Sequence, residues 1–347
     1  MTMKMLKLIL LCLLTFGFYS CTQKGNADSK EKNEDDGIVI IAVNTPSGIG
    51  YFTDVEGKPL FQNQFEEVAS FSDGLARVRQ NGKWGYINIK GESVIPCMYE
   101  GAWPFSDGLA VVRQTRKRGY INIKGEPVVP CVYDGAWPFS DGLAVVWQNG
   151  KCGYINTEGQ SVIPCMYDAA GNFSEGMAWV EQGGKLGYIN IKGEPVVSCI
   201  YEGVGSFSDG LAGVRQNGKC GYINTKGETA IPFIYDYVGT FSDGLAVVGQ
   251  NGKYGYLNTK GESVVPCIYD DASVFIDGLA RVVQDGKYGY INTEGKEAIP
   301  CMYEDACNFS DGLAWVRQNN TIQIIDRNGK IIIPECTRSA SWSKVKR

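Results

Sequence analysis

The sequence contains no histidine among its 347 residues. That removes Ser-His-Asp and Cys-His catalysis, together with the commonest transition-metal ligand. An excess of positive charge is also missing: 33 Lys and Arg face 38 Asp and Glu, for a net charge of −5. Nucleic acid is recognised through a basic face, so no nucleic-acid partner is expected. Helix-like apolar spacings are few. The apolar stretch from Leu8 to Phe18 falls short of the ~20 residues that cross a bilayer. Glycine, by contrast, is abundant, with 44 residues against an average of about 7%. Many turns and short strands follow from that composition.

Lys4 and Lys7 precede the Leu8–Phe18 stretch, so residues 1–20 read as a secretory signal. The stretch ends in Phe18-Tyr19-Ser20-Cys21. A small residue before a cysteine in this place resembles the lipobox of bacterial lipoproteins. The resemblance implies that Cys21 is the lipidated first residue of the mature chain. The alternative is an ordinary secretory signal with an incidental cysteine. Residues 21–37 hold Lys30, Glu31, Lys32, Glu34, Asp35 and Asp36 and almost nothing apolar. Such a segment buries too little to fold and reads as a polar tether. Its acidic end resembles the surface-export signals of Bacteroidetes lipoproteins. The expected location is therefore the outer membrane or cell surface of a bacterium, with the periplasmic face as the alternative, and contact with the membrane through an N-terminal lipid.

The rest of the chain is periodic. Phe-Ser-Asp-Gly-Leu-Ala begins at Phe71, Phe105, Phe139, Phe207, Phe241 and Phe309, with variants at Phe173 and Phe275, all 34 residues apart. Gly-Tyr-Ile-Asn keeps the same step from Gly85 to Gly289, as Gly-Tyr-Leu-Asn at Gly255. With a degenerate first unit and a truncated last one, residues 38–336 hold about nine units, and 337–347 form a tail. One unit reads as three strands: Leu75 to Gln80, Trp84 to Ile89 and Ser93 to Tyr99. Asn81-Gly82 is a strong hairpin signal, because a type I′ turn needs positive φ at both central positions. Glu100 to Asp107 reads as a looser crossover. Ala76 and Val78 recur in every unit and mark one covered face of the first strand. The third strand, with Val94, Ile95, Cys97 and Met98, shows no polar alternation and is expected to be covered on both faces. A unit of 34 residues has too little core to stand alone, so neighbours must cover one another.

Gly82-Lys83-Trp84-Gly85-Tyr86-Ile87-Asn88, Gly91, Val94-Ile95-Pro96, Tyr99 and Phe105-Ser106-Asp107-Gly108-Leu109-Ala110 resemble the WG, or KWG, repeat family of bacterial proteins. The resemblance covers nearly the whole mature chain. It implies an all-β repeat domain, often in secreted or surface proteins, and no reaction. The expected architecture is a tandem array of three-stranded β-meanders in an open or superhelical stack. A closed propeller-like ring is the alternative; its blades are typically four-stranded and about 40–45 residues long.

Cys97, Cys131, Cys165, Cys199, Cys267 and Cys301 share one column, but Phe233 occupies it in one unit. Phenylalanine neither bridges nor ligates, so the column reads as packing. Cys307 and Cys336 break the pattern and are the candidates for a bridge. The repeated Asp-Gly pairs supply one acid per loop, too few for calcium, and no metal or cofactor is expected. The columns that vary are more informative. Opposite Ala76 and Val78, the first strands carry Arg77, Arg79, Arg113, Trp147, Trp179, Arg215, Arg281, Trp315 and Arg317. Stacking would align them in a stripe of Arg and Trp, the residue types enriched where proteins bind partners. The alternative is an exposed strand face with harmless variation. The expectation is a non-catalytic, lipid-anchored envelope protein that binds or scaffolds an unidentified protein. A glycan or cell-wall module is the second reading and an enzyme the third.

Overall fold

A computed structural model describes residues 40–44, 48–53, 58–310 and 312–336. The signal, Cys21, the tether and the tail lie outside the described residues. The described chain is all β. It divides into two compact units, one up to Val132 and the other Tyr133–Cys336.

In the first unit, β1 (Ile41–Asn44) and β2 (Gly50–Thr53) form an antiparallel pair. Next come β3 (Glu67–Ser72), β4 (Leu75–Gln80), β5 (Lys83–Asn88) and β6 (Ser93–Tyr99), a four-stranded antiparallel sheet in sequence order. A second sheet repeats this plan over Gly101–Tyr133. The second unit carries it six more times, from Gly135–Ala136 to Ile331–Cys336. None of the eight four-stranded sheets closes into a barrel: the lead strand is one edge and the last strand, the third of the sequence reading, is the other.

Each sheet thus has four strands where the sequence suggested three. The segment read as a crossover supplies the extra lead strand. It is six residues long in β3 and only two at Gly135–Ala136, Ala169–Ala170 and Gly203–Val204. The reason is the Asp-Gly pair. Asp73 (φ 49°) and Gly74 (φ 76°) form a two-residue turn that pairs Ser72 with Leu75, as Asn81 (φ 53°) and Gly82 (φ 70°) do one hairpin later. Both pairs supply the two positive φ values of a type I′ turn. At the equivalent tip of the next sheet Thr115 and Arg116 adopt φ 50° and 64°, a conformation that β-branched and long side chains seldom take.

The third strand also differs from expectation. Tyr86 pairs with Ile95 and Trp84 with Tyr99, so Pro96, Cys97 and Met98 together oppose Gly85. This wide bulge forces three side chains through space meant for one. Cys97 turns inward over the bare Gly85 and its Sγ donates to the Val78 carbonyl at 3.6 Å. Met98 turns out and is 48% exposed. Val132, Met166, Ile200, Ile234, Ile268 and Met302 are exposed in the same way. Proline at 96, 130, 164, 232, 266 and 300 removes an N–H from six of these seven edges, the strand of Ile200 having Ser198 instead, which blunts edge-to-edge pairing.

Within each unit, consecutive sheets pack face to face. In one such interface Leu143, Val145, Tyr154, Ile163 and Tyr167 of one sheet meet Phe173, Ala178, Val180 and Ile189 of the next. The first strand is therefore covered on both faces.

Candidate functional site

The recurring polar residues are occupied by joining one repeat to the next. Tyr86, Tyr154, Tyr188, Tyr222, Tyr256 and Tyr290 are essentially buried, and each hydroxyl donates to a carbonyl 17 residues on, such as Gly205 at 2.6 Å from Tyr188. Burial pushes these phenols well above their ordinary range. Ser72, Ser140, Ser174, Ser208 and Ser242 donate through Oγ to the phenylalanine carbonyl of the following motif. The acid beside the serine accepts from the following motif's glycine N–H: Gly176 to Asp141, Gly210 to Glu175 and Gly244 to Asp209. The motif Phe-Ser-Asp-Gly is a chain of clasps.

A second acidic column does similar work. Asp168, between the last strand of one sheet and the lead strand of the next, accepts from Lys151 of the preceding sheet and from the Gly183 N–H at a hairpin tip of the following one. Asp236 binds Lys219 and the Asn251 N–H, and Asp270 binds Lys253 and the Asp285 N–H. The lysine bonds, ahead of the backbone donors, hold these carboxyls below the usual carboxylate range. A carboxyl whose pKa is depressed by folding stabilises the fold above its unfolded value, near ~3.9, and loses that contribution as the pH falls through the folded value. The melting temperature is accordingly expected to fall on acidification from about pH 5 to below 3, followed by circular dichroism. Asp168→Asn/Asp236→Asn/Asp270→Asn should flatten the profile in that window. An unchanged slope would show that these pairs are screened out.

The cysteines behave as packing groups. The nine whose side chains are described are free thiols, Cys307 among them. Desolvation pushes Cys97, Cys131, Cys165, Cys199, Cys267 and Cys301 up, and Cys307 to about 11. A raised thiol pKa means little thiolate and low reactivity. The side chain of Cys336 lies outside the description.

The Arg and Trp residues separate into two columns. Arg77, Trp179, Arg281 and Trp315 are half-buried. Their column turns toward the lead strand of the following sheet: Arg77 Nη1 donates to the Ala102 carbonyl at 2.8 Å and Arg281 Nη1 to Ala306 at 3.0 Å. The two guanidinium groups also lie over the Trp84 and Tyr288 rings, at 5.5 and 5.3 Å. Where this column holds Val145 or Val247 it is buried outright. The other column is more open. Arg79 pairs with Glu66 and Glu67, Arg113 with Glu100 and Arg317 with Asp305. Trp147 is 41% exposed. Gly135 lies between Trp147 and Trp137: a Cβ there would come within 3.2 Å of the Trp147 Cβ and 3.1 Å of the Trp137 ring. Trp137 is 40% exposed. The Trp103 ring packs on Gly101 in the same way and carries Arg118 at 4.7 Å. The basic tip at Arg116 to Arg118 is thus partly engaged.

Repeating four-stranded sheets, joined by bonds at fixed sequence offsets, define a tandem β-repeat protein. The WG-containing-repeat family matches eight times, at residues 50–84, 84–117, 119–152, 153–185, 187–220, 221–254, 254–288 and 288–321. The chain belongs to that family. No curated protein matches it. Among solved structures it is similar to a eukaryotic initiation factor, with 12% identity, a TM-score of 0.57, and coverage of 87% of this chain and 97% of the other. That likeness concerns the fold alone. It also aligns with the extracellular domain of a putative hybrid two-component system from B. thetaiotaomicron, with 11% identity and a TM-score of 0.27, over 91% of this chain and 60% of that one. Another alignment is with the dihydro-heme d1 dehydrogenase NirN, with 11% identity and a TM-score of 0.39, over 90% and 76%. Among the described residues no helix is long and apolar enough to cross a membrane.

Proposed function

We propose that this chain is a non-catalytic, lipid-anchored protein of a bacterial envelope whose repeat array binds a protein partner. The observation that carries the reading is the contrast between recurring and variable side chains. The recurring polar groups are engaged between repeats, whereas Trp137 and Trp147 stand two-fifths exposed around Gly135. Tryptophan is one of the residue types enriched among the energetic hot spots at the centre of protein interfaces. Anchoring rests on Cys21 after the apolar segment, and export on that same segment. The paired indoles also favour a second reading, a glycan whose sugar ring stacks on Trp147.

Photo-cross-linking from position 147 on intact cells tests both. Discrete adducts with an envelope protein are expected with the anchored chain. They should disappear in Cys21→Ala, which leaves the membrane fraction. If Trp137→Ala/Trp147→Ala instead loses retention on isolated cell-wall glycan, the second reading holds. No adducts and no glycan retention would overturn both.

A further inference from the structure

The column that turns toward the following sheet has one gap. Residues 145, 179, 247 and 281 are Val, Trp, Val and Arg, but residue 213 is glycine. Trp179, one repeat earlier, shows what that space can hold. Its indole lies against Gly171 of its own sheet, where a Cβ would come within 2.1 Å of Nε1. It packs with Val204 of the following sheet in one apolar cluster. One repeat on, both accommodating residues return: Gly205 stands in the place of Gly171, and Val238 in that of Val204. Only the indole is missing.

The result is a cavity of about 210 Å³ that opens to solvent between Gly205, Gly213 and Val238. Arg215 lines it. That guanidinium is exposed and, among the described residues, donates no hydrogen bond and makes no ion pair, in contrast to Arg77, Arg79, Arg113, Arg281 and Arg317 in the same two columns. Cys220, whose Sγ donates to the Asp236 carbonyl at 3.6 Å, closes another side.

We infer that this recess binds a small planar aromatic carboxylate, its ring in the place of the missing indole and its carboxylate on Arg215. The volume sets the size. At about 210 Å³ the recess is of the order of cavities that take up benzene-sized molecules, so the ligand is limited to one or two fused rings. The valine and glycine walls select an apolar ring, since apolar cavities of this order take up benzene-sized molecules. The unpaired guanidinium selects the anion, because its planar fork matches a carboxylate through two parallel hydrogen bonds. Nothing in this site depends on Trp137 or Trp147, so it stands or falls apart from the partner surface.

Titration of the full chain with indole-3-carboxylate and with neutral indole, by calorimetry and ligand-observed NMR, tests the inference. Saturable binding of indole-3-carboxylate is expected. Gly213→Trp should weaken it at least tenfold by restoring the Trp179 arrangement. A Cβ at 213 meets Val238 Cγ2 at 2.9 Å, so Val238 must shift to admit it. Should the tryptophan variant not fold, Gly213→Val, the residue native to positions 145 and 247, serves in its place. Arg215→Gln should weaken indole-3-carboxylate at least fivefold and leave indole unchanged. Absence of saturable binding by the wild-type chain, or wild-type affinity in the filled variant, would overturn the site.

Discussion

Gly255→Ala is expected to cost about 3 kcal/mol or more, the upper end of what overpacking does. The backbone of Gly255 is not among the positive-φ glycines, so alanine is not excluded by torsion. It is excluded by what lies opposite. A Cβ there would sit 2.4 Å from the Val265 carbonyl oxygen and 2.6 Å from the Pro266 carbonyl. These are backbone atoms of the bulged third strand and cannot rotate away. The same approach occurs at Gly187 and Gly221. The chain contains its own control. In the last repeat Gln323 holds this position, and there only two residues separate Ile333 from Cys336 in the pairing, where other repeats have three. A side chain and the three-residue bulge do not coexist. Loss of amide-exchange protection along Lys253–Asn258 and a lowered melting temperature would confirm the effect, while a near-neutral Gly255→Ala would mean that the bulge rearranges at little cost.

Phe207→Ala should have a comparable effect, about 3–5 kcal/mol. Phe207 is 1% exposed and packs edge-on against Tyr188, with ring centroids 4.9 Å apart. It sits in the cluster where Met177, Tyr188 and Tyr201 of one sheet meet Ala212, Val214 and Ile223 of the next. Alanine would leave a cavity between two sheets rather than within one. Tyr188→Phe, which removes only the hydroxyl donated to Gly205, should cost about 1 kcal/mol. Urea melts of the two variants separate the contributions. In a repeat array the damage should be read locally as well, by exchange in the sheets on either side, since such arrays need not unfold in one step. Equal costs for the two substitutions would refute a packing role for the ring.

The 34-residue period, the turn at Asn81-Gly82 and the buried Tyr86 column were legible because each follows from local chemistry repeated in one chain. The lead strand was legible in principle. Asp73-Gly74 is as good a hairpin signal as Asn81-Gly82, but a partner strand of two residues leaves no alternating pattern beside it. The exposure of Met98 was not legible. It depends on three residues sharing the space opposite Gly85, a property of pairing rather than of composition. The Arg and Trp stripe was half legible. Trp147 and Arg113 lie at the surface, whereas Arg77, Trp179 and Arg281 face a neighbouring sheet, and nothing local distinguishes a face covered by the next repeat from one that meets water. Gly213 was visible as the odd residue of its column, yet its meaning depends on Gly205 and Val238, brought together only by stacking.

The segments that match the family begin and end mid-sheet. The match at 187–220 starts in the third strand of one four-stranded sheet and stops in the third strand of the next. It encloses Tyr188, Tyr201, Val204, Phe207, Ala212 and Val214, which form most of one interface. A 34-residue segment cut in this phase carries one whole joint and part of a sheet at each end. Deleting one such segment would remove a joint and bring the two remaining part-sheets together as one sheet.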